Sequence, residues 1–175
     1  MGYTSYFTGA VDIDPPLNES ERSFLKDFAT TRRMNRTKGP LYVKGGGFMG
    51  QDNEDDVIDS NNPHPDQPEL WCQWVPSEDG TQIVWDEGEK FYSSAEWMLY
   101  IVKNLLSPSA AAYITSHVEE DERLNDFTCN HDVNGQFHVE GEESDDRWIL
   151  DVDHNVIGVS EGSIEYGPIK EVSPR

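Results

Sequence analysis

The chain has 175 residues and a formal net charge of −21, which comes from 34 Asp and Glu against 13 Lys and Arg. The length suits one ordinary domain, and 19 aromatic residues oppose the disorder that such a charge would otherwise indicate. A surface this acidic repels nucleic acid and anionic membranes, so it excludes direct binding to DNA, RNA or a membrane.

The first predicted elements are a strand and a helix. Residues 3–13 are rich in aromatic and β-branched side chains, which predicts a strand that ends before two prolines. Asn18 and Glu21 have the spacing of a capping box, so we expect a helix over residues 19–35. Arg32, Arg33 and Arg36 then fall in its last turn, where positive charge suits the helix dipole.

Charge is divided unevenly along the chain. Residues 22–44 contain seven basic residues and one acid, whereas residues 45–169 contain 28 acids and four basic residues. The basic segment either lies on the acidic body and neutralises part of it, or presents Arg32, Arg33 and Arg36 as a secondary surface for a second partner. The sequence leaves both arrangements open.

The middle of the chain predicts a loop and a hairpin. Residues 41–43 suggest a short strand, and residues 51–69 are rich in acids, prolines and asparagines, so we expect a long acidic loop. The apolar runs at residues 70–75 and 81–85 flank the turn sequence that ends at Gly80. These runs predict a β-hairpin.

The second half predicts a core helix followed by strands. Residues 94–106 carry apolar side chains at helical spacing, and Ser93 with Glu96 repeats the capping-box spacing. Residues 109–117 suggest a further short helix, and residues 119–122 suggest an acidic run facing solvent. We expect strands at residues 136–141, 147–153 and 156–159 and near 164–166.

Together these elements predict one α+β domain over residues 1–175, with a mostly antiparallel, twisted sheet of about six strands packed against two main helices. A stripe on the second helix should pack against one face of the C-terminal strands. The helix residues are Trp97, Ile101 and Leu105, and the strand residues are Phe137, Val139, Trp148 and Leu150.

The opposite face of those strands and the turn between them are acidic. The expected partner-binding residues are Glu140, Glu142, Asp145, Asp146, Asp151 and Asp153. Acids that face one another across a hairpin destabilise it, so the protein either spreads this charge over sheet twist and solvent or uses it. Residues two apart on a strand are separated by about 6.6 Å, close to the separation of neighbouring phosphates along a DNA strand. The pattern predicts a DNA-mimicking surface that binds a host protein with a basic, nucleic-acid-handling surface.

Three segments resemble a family of small acidic proteins of actinobacteria and their phages. The likeness lies in the opening MGYTSYFTG with the Pro-Pro-Leu at 15–17, in EGEKFY at 87–92, and in VEGEESDDRW at 139–148. The resemblance implies a phage or bacterial source and no particular activity. With the acidic surface, it predicts a phage-type accessory protein that binds and modulates, most simply by inhibition, a host protein.

Location and two competing functions follow from the remaining residues. The sequence contains no apolar run of the roughly 18 residues that a membrane span needs, and two cysteines, Cys72 and Cys129, favour a cytoplasmic protein with free thiols. Cys129 and His131 lack an orienting third group, and no zinc-ligand spacing occurs, so we expect no cofactor and no enzyme activity.

Two competing functions stay open. The first is a virion or assembly component that self-associates through Trp71 or Trp74. The second is a metal-dependent hydrolase using Asp145, Asp146, Asp151 and Asp153.

Overall fold

A computed structural model describes residues 2–51, 54–162 and 168 of the chain. The strands are β1 (Ser5–Asp14), β2 (Met34–Arg36), β3 (Val57–Pro63), β4 (Trp74–Pro76), β5 (Gln82–Trp85), β6 (Asp132–Gly141), β7 (Arg147–Asp153) and β8 (Val156–Glu161). The α-helices are α1 (Glu19–Thr30), α2 (Ser94–Ile101) and α3 (Ala111–His117). Helix α2 continues into a π-helical segment, Val102–Leu106, and the short turn Pro108–Ala110 leads into α3.

Six strands form one antiparallel sheet in the order β4-β5-β1-β6-β7-β8, and β2 pairs with β3 in a small separate sheet. Strands β1 and β6 pair over their whole length, from Ser5 opposite Gly141 to Asp14 opposite Asp132. The predicted α+β class with a six-stranded antiparallel sheet is therefore confirmed.

Helices cover one face of this sheet and leave the other open. Alternate residues of β1, β6 and β7 are buried, and they join the apolar side chains of α1 and α2 in one cluster. Trp97, Ile101 and Leu105 are each at most 1% exposed. This stripe and the strand residues Phe137, Val139 and Leu150 belong to one buried cluster, with Trp148 only partly buried at its margin.

Two local predictions are confirmed: the capping box at the start of α1 and the hairpin turn at Gly80. The Asn18 side chain accepts a hydrogen bond from the Glu21 N–H at 2.9 Å, and the Glu21 carboxylate accepts one from the Asn18 N–H at 2.8 Å, which completes the capping box. Gly80 has φ 73° and donates its N–H to the Ser77 carbonyl at 3.0 Å. The second predicted capping box is absent, because Ser93 has a left-handed backbone (φ 53°) and its side chain does not cap α2.

Helix α1 is shorter than the predicted range, so the expected position of the three arginines is wrong. The Thr30 and Thr31 hydroxyls donate to the carbonyls of Lys26 and Asp27, both at 3.0 Å, and the backbone is extended from Thr31 onward. The Arg33 N–H then donates to the Leu70 carbonyl at 2.8 Å, a contact remote in sequence. Tertiary hydrogen bonding thus replaces the last helical turn.

Three further predictions need correction. The expected loop at 51–69 contains β3, whose polar sequence gives no apolar alternation, while residues 41–43 form no strand. The run 119–122 does not simply face solvent, because Glu120 accepts the Leu41 N–H and the fully buried Asp121 side chain pairs with Arg123 at 2.9 Å. The strand expected near 164–166 lies outside the described residues.

Candidate functional site

The open face of the sheet carries the outward-pointing residues of β1, β6 and β7. On β1 these alternate with the buried Phe7, Val11 and Ile13, so Asp12 and Asp14 point outward. On β7 they alternate with the buried Leu150 and Val152. The sheet therefore presents polar side chains on one face, held in register by the strand hydrogen bonds.

One end of this face is acidic, and we call it the aspartate end; its members are Asp12, Asp14, Asp132, Asp151 and Asp153. Asp14 lies directly opposite Asp132 across β1 and β6. Residues two apart on one strand, such as Asp151 and Asp153, are separated by about 6.6 Å. Like charges that face each other on neighbouring strands destabilise the fold, so other interactions must offset this repulsion.

A buried ion pair lies directly behind the aspartate end. The His131 ring places Nδ1 at 2.6 Å from the Pro15 carbonyl oxygen and Nε2 at 3.2 Å from the Glu21 carboxylate, so a doubly protonated ring donates to both. Both side chains are at most 1% exposed. Because Pro15 follows Asp14 and His131 precedes Asp132, these bonds hold the two opposed aspartates in place from inside.

The hydrogen bonds of this pair favour its charged form. Burial alone would raise the pKa of Glu21, but hydrogen bonds from His131, Thr128 and Asn18 lower that pKa below its ordinary value. Burial alone would lower the pKa of His131, but its bonds to Glu21 and Pro15 and the charge of Glu21 raise it. Both shifts therefore favour the imidazolium–carboxylate form of the pair over its neutral form.

A second histidine lies on the surface of the aspartate end. His154 occupies the turn between β7 and β8 with φ 45°, and its Nδ1 lies 2.8 Å from the Asp132 carboxylate. Its Nε2 lies 3.9 Å from Asp153. The hydrogen bond and the charge of Asp132 raise the pKa of His154, with a smaller contribution from Asp153. His154 is thus a titratable cation within the acidic cluster.

The six acids predicted from the sequence lie in three different places. Asp151 and Asp153 belong to the aspartate end. Glu140 lies opposite Arg147, 3.3 Å from its guanidinium, so it faces a cation and not another acid. The other three lie in or beside the β6–β7 turn, where Glu142 accepts the Thr4 N–H at 2.8 Å and Asp146 accepts the Tyr3 hydroxyl.

The expected repulsion between β6 and β7 is therefore wrong, because Asp151 lies opposite Gln136. The opposed acids occur instead between β1 and β6, as the Asp14–Asp132 pair. Sequence analysis missed Asp12, Asp14 and Asp132 as members of the site. The alternation in β1 indicated an outward Asp12, but nothing local shows that β1 pairs with a strand more than 100 residues away.

The basic segment is mostly used inside the protein. Arg33 is 4% exposed, lies 4.7 Å from the Phe28 ring centre and donates to the Pro40 carbonyl; burial lowers its pKa to about 10. Arg36 is 5% exposed and pairs with the buried Asp56. Half-buried Arg32 donates to the Ser60 carbonyl at 3.0 Å. A secondary surface made of all three arginines is therefore excluded, because two of them are buried.

The arrangement gives no support to a metal-dependent hydrolase. Asp146 precedes β7 and Asp151 is its fifth residue, so roughly 16 Å of strand separates the two halves of the suggested metal site. Among the described residues, no group of three or more His, Cys, Asp or Glu side chains could hold a metal ion. Burial raises the pKa of Cys72 to about 12 and also raises that of Cys129, so neither is an activated thiolate.

Two observations bear on self-association and on membrane insertion. Trp74 is 1% exposed in the core, so self-association could involve only the half-buried Trp71 of the two tryptophans suggested. No helix in the described part of the chain is long and apolar enough to cross a bilayer.

Comparison with known proteins gives no relative. No protein-family model matches the chain, and neither the curated proteins nor the solved structures contain a significant match.

Proposed function

We propose that this protein is a phage-type accessory protein that binds and modulates, by inhibition, a basic nucleic-acid-handling protein in the host cytoplasm. The aspartate end is the surface that makes the contact. The attribution to a phage rests on the sequence resemblance alone. The binding mode rests on the charges and their positions.

The observation that carries the proposal is the separation of charge across the molecule. Within the described strands, no lysine or arginine occupies an outward position at the aspartate end, and His154 is the nearest titratable cation. Meanwhile Arg33, Arg36 and Arg123 are held in internal contacts. On a chain whose net charge is −21, the aspartate end therefore presents its carboxylates with His154 as their one cationic neighbour among the described surface residues.

This arrangement of acids suits binding to a partner protein whose own natural ligand is a polyanion such as DNA. A groove lined with Lys and Arg binds DNA largely because counterions are released when phosphates arrive. Carboxylates fixed at similar spacing on a rigid sheet release counterions from such a groove in the same way, and they steer its approach. Because the aspartates are already held by strand pairing and by the Glu21–His131 bonds, little ordering entropy is lost on binding.

Affinity capture from a bacterial lysate tests the proposal. The wild-type chain is compared with a fourfold variant, D12N/D14N/D151N/D153N, that keeps the side-chain shapes. The matched control is E19Q/E78Q/E87Q/E119Q, which removes four charges from exposed positions elsewhere. We expect wild type and control to capture the same DNA-binding or RNA-binding protein and the fourfold aspartate variant to lose it. Equal capture by all three chains would contradict the proposal.

A further inference from the structure

Strand β8 ends the six-stranded sheet, so one of its edges has no partner strand among the described residues. The Gly162 N–H donates to the Arg147 carbonyl at 2.6 Å, and β7 and β8 stay in one register throughout. Hydrogen-bonded residues alternate along an antiparallel strand. Gly158 and Ser160 therefore bond to β7, while Ile157, Val159 and Glu161 direct their backbone groups to the free edge.

Apart from Glu161 at its end, the free edge has none of the features that usually prevent strand addition. Residues 157–160 of β8 contain no charge and no proline, and β8 pairs with β7 without a bulge. The opposite edge of the sheet is protected, because β4 has only three residues and ends at Pro76. Natural sheets normally block exposed edges with charge, proline or bulges. An unblocked edge is thus a surface suited to pairing.

Within the described part of the chain, a trough beside this edge, on the helix side of the sheet, is left uncovered. Val159 points to that side, yet it is 63% exposed, and Leu99 on α2 is 48% exposed. A groove of about 800 Å³ lies at one end of the trough and one of about 500 Å³ at the other. An added strand could therefore place alternate side chains on Leu99 and Val159.

The charge of the larger groove indicates what kind of strand fits. Its lining includes the carboxylates of Glu96, Asp145, Asp146 and Glu161. The one cation in the lining, Arg147, is paired with Glu140 at 3.3 Å. The smaller groove is lined by Lys103 and no carboxylate. Apolar contacts in the trough and carboxylates in the larger groove therefore select a β-forming segment with basic side chains where it meets the larger groove. A second copy of this acidic chain lacks that complementarity.

We propose that the free edge of β8 receives an extended, basic segment of the partner as an added strand. This inference rests on the proposed function and names the mode by which the partner binds. The main-chain hydrogen bonds of Ile157, Val159 and Glu161 hold the segment, and its apolar side chains pack in the trough. Its lysine or arginine side chains meet the carboxylates of the groove. Asp145 and Asp146 then contribute to binding although they lie outside the aspartate end.

The first test of the free edge is amide hydrogen exchange, measured on the full chain without any ligand. The amides of Gly158 and Ser160 should exchange slowly, since they donate to β7, whereas those of Ile157, Val159 and Glu161 should exchange fast. Slow exchange at these three positions in dilute protein would mean that the chain itself covers the edge. Slow exchange that depends on protein concentration would mean that a second copy does. Either result overturns the inference.

A synthetic peptide then supplies the basic strand. The probe is a nine-residue peptide of alternating lysine and valine with a lysine at each end. We expect its addition to slow exchange at Ile157, Val159 and Glu161. A copy of the peptide N-methylated at the amides that would pair should bind about tenfold more weakly or worse, because it loses several hydrogen bonds. Equal binding by the two peptides would show attraction by charge alone and would refute strand addition.

Variants of the protein complete the test. Val159→Pro removes only an N–H that faces the free edge, a position where sheets tolerate proline, and Val159→Thr keeps that N–H as the control. Peptide binding should fall with proline and persist with threonine. If proline leaves binding unchanged while D12N/D14N/D151N/D153N still loses the captured partner, this inference fails and the proposed function stands. If the peptide binds by its backbone but no basic protein is captured, the proposed function fails instead.

Discussion

At the scale of single residues, Glu21 and His131 show how the fold tolerates opposed aspartates at its surface. The Glu21 carboxylate caps α1 and also accepts the Thr128 N–H at 2.8 Å and the His131 ring at 3.2 Å. One buried acid therefore joins the start of α1, the approach to β6 and the end of β1. Such a pair contributes stability only while both groups are charged.

The pH range of that contribution follows from the direction of the two shifts. The pKa of Glu21 is lowered in the fold, so its contribution is complete above about 4.3, the value in an unfolded chain, and is lost below the folded value. The pKa of His131 is raised, so its contribution is complete below about 6.5 and is lost above the folded value. The pair stabilises most between about pH 4.3 and 6.5.

Replacing His131 with Gln tests this. At pH 6 we expect the free energy of unfolding to fall by about 3 kcal/mol, because the substitution leaves a buried carboxylate without its cation. At pH 9 the loss should be smaller, since the contribution of a histidine whose pKa is raised in the fold declines above about pH 6.5. Urea unfolding at both pH values measures the difference. The exposed His138→Gln variant is the control, with a change within about 0.5 kcal/mol. An equal loss for H131Q at both pH values would mean that the pair is not ionised.

At the scale of elements, the sequence predicted those structures that depend on interactions between residues close together in the chain. The capping box, the hairpin turn at Gly80 and the core helix over residues 94–106 depend on neighbours within a few positions, and the structure contains all three. The polar ribbon of β2 and β3 was missed because neither strand has an apolar alternation. Helix α1 ends early because Arg33 finds a partner at Leu70, which no local pattern indicates.

Two leucine-sized residues on α2 offer a matched test of the core. Ile101 is 1% exposed and Leu99 is 48% exposed, only two positions apart. Ile101→Ala should lower the free energy of unfolding by roughly 2–5 kcal/mol through lost burial and a cavity. Leu99→Ala should cost less than about 1 kcal/mol. Denaturant titration of both variants checks the pair. A similar loss of unfolding free energy in the two variants would mean that the face of α2 carrying Ile101 does not pack against the sheet.

At the scale of the whole molecule, composition predicted an acidic surface but only part of its layout. The sequence shows that basic residues are concentrated in residues 22–44. In the structure, two of them, Arg33 and Arg36, are buried and so do not form a basic surface. Asp151 and Asp153 were expected at the site from strand alternation. Asp12, Asp14 and Asp132 join them only through the long-range pairing of β1 with β6, which sets one acid opposite another. That pairing was not accessible from local patterns.

The central claim is that the aspartate end occupies a surface built for nucleic acid, and competition with DNA tests it most directly. A labelled duplex is bound to the captured partner, and its release by this protein is measured at several salt concentrations. We predict competitive displacement that weakens steeply as salt rises, because ion release drives both interactions. The D12N/D14N/D151N/D153N variant should displace less DNA with a flatter salt dependence, while E19Q/E78Q/E87Q/E119Q should behave like wild type. A ternary complex of duplex, partner and this protein, or displacement independent of salt, would contradict the account.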